Sequence, residues 1–128
     1  MSLDYSLVPE KLFAIWQELA KLREKEILII GSGNIVHNLS RIDWSGTQVY
    51  PWAKEFDERV ANGILTKNYA DILDFHSWGS ISELAHPTYD HLLPLFLLLG
   101  SVQTDDTPEF YTPEISRWTL SMRSFLWK

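Results

Sequence analysis

Four histidines hold most of the chemical potential of this 128-residue chain: His37, His76, His86 and His91. Imidazole gains or loses a proton near neutral pH, and it is also the commonest metal ligand. His37 stands four residues after Gly33 in "ILIIGSGNIVHNL". An apolar run that ends on Gly31-Ser32-Gly33 reads as a strand whose exit turns sharply and lets the backbone come close to something. In open α/β sheets, ligands collect beyond the carboxyl ends of the strands. His37 is therefore a candidate proton-transfer residue or metal ligand. The plainer alternative is a ring that bonds a backbone carbonyl and braces the loop. The glycines make no dinucleotide fingerprint, because the third glycine of that motif is missing.

His86 and His91, in "AHPTYDH", are five residues apart. That is not the i,i+4 spacing that puts two ligands on one helix face, so the pair alone defines no zinc motif. His91 falls in the first turn of an apolar helix, where burial would demand a polar partner; a capping or edge-exposed imidazole is the simpler alternative. His76, in "DFHSWGS", reads as a surface residue of a loop. Trp44 and Trp52 flank a glycine-containing loop and are candidates to line a pocket. The acidic run "TDDTPE" reads as a solvated loop.

The elements that must position these groups follow from periodicity. "MSLDYS" alternates, with Met1, Leu3 and Tyr5 on one side, as a strand does. Pro9 suits a first helical turn, and Leu12, Phe13, Trp16, Leu19 and Ala20 recur at helical spacing to about Arg23. "EILIIGSG" reads as a strand covered on both faces. Strand, helix and strand make a βαβ unit with a right-handed crossover. "PWAKEFDERVANG" predicts a helix with Trp52, Phe56 and Val60 inward, Glu55 and Arg59 paired outside, and Gly63 as its stop. "KNYADILDF" predicts a short helix, and "HSWGSISELAHP" a loop with one helical turn. "TYDHLLPLFLLLG" predicts a helix capped by Thr88 and ended by Gly100, with a kink or restart at Pro94. "FYTPEIS" and "RWTLSMRSFLW" predict two closing strands. The expected fold is α/β: a partly parallel sheet with a βαβ unit and flanking helices, in a single domain over residues 1–128.

Composition narrows the function classes. Eleven basic and 17 acidic residues give a net charge of −6, and no basic stripe is visible, which argues against nucleic acid as the main partner. There is no cysteine, so disulfides and thiolate metal sites are excluded. The start has no basic n-region or apolar h-region, so a cytoplasmic protein is expected. The longest apolar stretch, "HLLPLFLLLG", is about half the ~20 residues of a membrane span, and no membrane association is expected.

Four motifs, "GSGNIVHNL", "YPWAKEFDE", "HPTYDHLLPLFLLLG" and "LSMRSF", occur in this order. Together they resemble the C-terminal half of the class III extradiol ring-cleavage dioxygenases, in particular the 4,5-DOPA-dioxygenase-like branch. The resemblance implies a non-haem metal enzyme that holds Fe(II) or Zn(II) and opens catechol-type rings with O2. A metal with open positions suits such chemistry. By that pattern His37 lies beside the metal as acid/base or additional ligand, and His91 occupies a metal-ligand position. Asn34 and Asn38 are candidates to orient His37, Asn34 and His86 to contact substrate, and Ser121 and Met122 to pack in the closing strand.

The family's first metal-binding histidines belong to an N-terminal half for which this sequence has no counterpart. A facial triad needs three ligands, so this chain is expected to bind metal weakly and to have little or no ring-cleavage activity alone. An exposed sheet edge is expected as well, inviting association with an N-terminal half or with a second copy.

Overall fold

The computed structural model describes residues 7–45 and 48–128. The strand expected at residues 1–6 lies outside them. Pro9 opens helix α1 (Pro9–Leu19), which tightens into a 3-10 turn over Ala20–Lys25. Helix α2 spans Pro51–Leu65, α3 Tyr69–Leu73, α4 Ser80–Ala85 and α5 Leu93–Gly100. Four short strands close the chain: β1 (Pro108–Tyr111), β2 (Ile115–Ser116), β3 (Leu120–Ser121) and β4 (Ser124–Trp127).

The mixture of helices and small sheets is the expected α/β composition, but strand pairing departs from the expected parallel unit. β1 pairs with β4, and β2 with β3, both antiparallel. The run 27–33 forms no regular element and has no strand partner among the described residues. Its side chains call for cover on both faces, but Leu28 is 72% and Ile30 79% exposed. Apolar periodicity states what a strand needs and not which chain segment supplies it.

The core forms where helix stripes meet. Phe56, Val60 and Ile64 of α2 are fully buried against Ile72, Phe75, Leu92, Leu93 and Phe96. Trp52, the outer end of the expected stripe, is only half-buried and stacks on Tyr50. Gly63 does not end α2. It lies inside the helix because a Cβ there would come within 2.8 Å of Ile72, so it lets α3 approach. Arg59 takes Asp71 of α3, not Glu55, as its hydrogen-bonded partner, with two bonds of 2.7 and 3.0 Å, its guanidinium 4.1 Å from the Trp78 ring centre. The expected loop after His76 instead holds a 3-10 turn (Phe75–Trp78) followed by α4.

Pro94 restarts the chain as helix: residues 90–92 form a turn, and α5 begins at Leu93 with no capping side chain. Thr88 therefore does not cap it. Proline within the first turn costs nothing, since its missing N–H would be unpaired there anyway. Gly100 closes α5 against α1, where a Cβ would run into the Phe13 carbonyl. The acidic loop is not simply solvated. Asp106 is buried and forms a two-pronged ion pair with Arg23, whose other bond goes to the Ser101 carbonyl.

Candidate functional site

His37 and His91 meet. Their rings stack with centroids 3.6 Å apart and planes 19° from parallel. His37 follows the buried pair Ile35–Val36, and its backbone N–H donates to the Ala85 carbonyl at 3.0 Å, while the residue bridges Leu120 of β3. His91 sits in the turn that leads into α5. The two segments are held together by the Asn34 N–H, which donates to the His91 carbonyl at 2.9 Å. Gly33 makes this bond possible: a Cβ at residue 33 would collide with that same oxygen. The glycines after the apolar run thus bring the backbone against the loop that carries His91.

The electrostatics follow from the crowding. Partial burial and the neighbouring His91 push the His37 ring below the ordinary imidazole value, against an opposite pull from Asp90. His37 is therefore a neutral imidazole at pH 7, with a lone pair able to accept a proton. The Asp90 carboxylate lies 3.5 Å from His91 Nε2, and its hydrogen bond from Thr88 holds it below the usual carboxylate range.

The other expected site residues are placed differently. His86 is 6% exposed, deep against Phe56, with its Nε2 2.6 Å from the Ile35 carbonyl. Burial pushes its pKa down to about 4, so the ring is neutral, donates from Nε2 and braces the segment before His37. Its Nδ1 has no hydrogen-bond partner among the described residues. Asn34 and Asn38 do not bond the His37 ring. Asn34 Nδ2 donates to the Ser121 carbonyl at 3.0 Å, and Asn38 Nδ2 to the Leu84 carbonyl at 2.6 Å while its Oδ1 accepts from Ser40. Both instead fix backbone. His76 is exposed and lies on Phe75. Trp44 is exposed beneath the Arg117 guanidinium. A groove of about 280 Å³ is bordered by Ser32, Gly33, Asn34, His91 and Arg123; of the histidine pair only His91 borders it, and neither Trp44 nor Trp52 does.

One feature of the site has no counterpart among the expected residues. Asp57 of α2 is 2% exposed; its Oδ1 accepts from the Ser121 hydroxyl at 2.6 Å and its Oδ2 from Arg123 Nε and Nη2 at 2.9 and 2.7 Å. The buried face of α2 runs Ala53, Phe56, Asp57, Val60, Ala61, Ile64. Asp57 holds a core position in that stripe, and a carboxylate there was the signal to follow.

Among the described residues, no group of three or more His, Cys, Asp or Glu side chains gathers as a metal site. The convergent donor set is two imidazoles, one short of a facial triad. The described residues therefore do not by themselves fit the Fe(II) or Zn(II) centre that the resemblance implies.

Two histidines distant in the sequence thus meet beside a glycine-bearing turn of an α/β unit. Comparison with known proteins shows the family. Residues 5–122 match the family model of the catalytic LigB subunit of aromatic ring-opening dioxygenase, and the chain belongs to that family. It is 33% identical to the 4,5-DOPA dioxygenase extradiol of Escherichia coli (strain K12), over 97% of this chain and 47% of that protein. It is 34% identical to the protein of the same name from Mirabilis jalapa, over 70% of this chain and 33% of that one. A crystal structure of an uncharacterized protein from Escherichia coli K12 superimposes with a TM-score of 0.88 at 30% identity, covering 97% of this chain and 52% of that one. The chain thus spans about half the length of these bacterial relatives. No helix among the described residues is long and apolar enough to cross a membrane.

Proposed function

We propose that this chain carries the proton-handling portion of an extradiol ring-opening site for catechol-type substrates and O2. The observation that carries this reading is the stacked pair of His37 and His91, in a chain of the LigB family. His37, neutral at pH 7 and stacked on the groove-lining His91, accepts the proton of a phenolic hydroxyl held against the pair. His91 would offer a nitrogen to a divalent metal, Fe(II) or Zn(II), but two imidazoles make an incomplete ligand set. Weak divalent-metal binding and little ring cleavage by this chain alone are the expected behaviour. Calorimetric titration with Zn²⁺ tests the reading, comparing the natural chain with His91→Ala and His37→Ala. Either substitution is expected to abolish the heat of binding. Binding that survives both substitutions refutes it.

A second reading is favoured by the segment 28–33, which is apolar, unpaired among the described residues and exposed at Leu28 and Ile30, in a chain that covers only 47% of its Escherichia coli relative. In it, the chain works by associating with a polypeptide equivalent to the remainder of that relative, or with a second copy. Strand addition to an unpaired edge supplies the affinity. Sedimentation alone and with that remainder separates the cases: a chain that stays a compact monomer in both mixtures counts against this reading.

A further inference from the structure

We infer that Asp57 is a positioning residue for the histidine pair, acting through Ser121. The inference rests on the reading of His37 and His91 as the chemical centre, but its geometry is independent of any metal.

Ser121 is 1% exposed and spends every polar atom on the site's framework. Its backbone N–H donates to the Val36 carbonyl at 3.0 Å, the residue before His37. Its carbonyl accepts from Asn34 Nδ2 at 3.0 Å. The Asn34 N–H in turn holds the His91 carbonyl at 2.9 Å. Both backbone bonds of Ser121 therefore grip the segment that carries His37, and the His91 segment is joined to it one step further on, through the Asn34 N–H. What fixes residue 121 is its side chain, anchored on Asp57 Oδ1 at 2.6 Å. Asp57 is itself locked by Arg123 two residues further along the same hairpin.

A buried carboxylate is an expensive way to hold a hairpin. Replacing such a pair with apolar groups is often neutral or stabilising, and the attested reason to keep one is that it specifies a single arrangement. Apolar packing between α2 and the hairpin would tolerate sliding. A charge-assisted hydrogen bond to a hydroxyl has a direction and a length, and it removes that freedom. The carboxylate lies on the buried face of α2, beside the fully buried Phe56 and Val60. The register of the histidine rings is thus referred to the core-facing side of that helix.

Two variants test this, Asp57→Asn and Ser121→Ala, the second removing only the hydroxyl and least able to prevent folding. Two readouts are taken by NMR on the folded chain at pH 8, without metal. One is the upfield ring-current displacement that stacking imposes on the His37 and His91 ring protons. The other is hydrogen exchange of the Asn34 amide relative to that of Val60 in α2. The expected result in each folded variant is loss of most of the ring-current displacement, with Asn34 exchange accelerated about tenfold more than Val60 exchange, the mark of a local opening. A residue that merely stabilises the fold would speed both amides alike and leave the ring protons where they are. That outcome in Ser121→Ala overturns the inference whether or not Asp57→Asn folds. A natural chain whose rings stack but bind no Zn²⁺ would sink the proposed function and leave this inference standing.

Discussion

Acid should destabilise this protein through His86, and the size of the effect can be worked out. The ring is buried, its Nε2–H engaged by the Ile35 carbonyl, and its pKa falls from 6.5 to about 4, chiefly because burial penalises the charged form. A histidine with a depressed folded pKa binds its proton more readily when the chain is unfolded. Its contribution to stability is intact above pH 6.5 and is lost as pH falls toward 4. Linkage makes the full loss about 3 kcal/mol below pH 4, and about 2 kcal/mol of it is already gone at pH 5. The perturbation is His86→Gln, which keeps an amide donor for Ile35 but cannot titrate. Urea unfolding followed by tryptophan fluorescence, at pH 7.5 and pH 5.0, gives the stability of each form. Groups common to both proteins, including His37, cancel in the comparison. The natural chain is expected to lose about 2 kcal/mol more than the variant between the two pH values. Equal losses would refute the reasoning, because they would mean that the ring is not held neutral in the fold.

Two further outcomes are expected. Gly33→Ala forces a Cβ into the His91 carbonyl; overpacking of this kind costs about 1–3 kcal/mol, and chemical denaturation should register it together with rapid exchange of the Asn34 amide. Arg23→Ala leaves the Asp106 carboxylate, whose side chain is 8% exposed, without its cation. Breaking a buried pair from one side costs about 3–5 kcal/mol. Arg23 holds the Asp106 pKa below the usual range, so the stability it lends is present above the unfolded carboxylate value and lost on acidification. The deficit of Arg23→Ala should therefore shrink below about pH 4, as thermal melts at pH 7 and pH 3 would show.

Much of the helical layer was legible in the sequence. Pro9 and Pro51 sit where helices begin, and Pro94 marked the restart of α5, because proline's ring and missing N–H act locally whatever surrounds them. The meeting of His37 and His91 was legible only through resemblance: spacing says nothing about residues 54 positions apart. Gly63 was misread because a glycine inside a helix and one that ends it look alike until the neighbouring Ile72 is known. Asp106 and Arg59 found partners far along the chain, and local charge patterning could not reveal them. Asp57 was the recoverable miss. Helical periodicity alone puts it on the inward stripe of α2, and only the habit of placing carboxylates outside hid it.

The order of synthesis bears on the hub at Ser121. His37 and His91 leave the ribosome before Ser121, which braces the His37 segment and follows His91 by thirty positions. At about 5–20 residues per second, some 2–6 s pass in which both imidazoles exist on the nascent polypeptide, joined by the Asn34–His91 bond but without the Ser121 bonds to Val36 and Asn34. The final hairpin is consequently the last part of the site's framework to arrive.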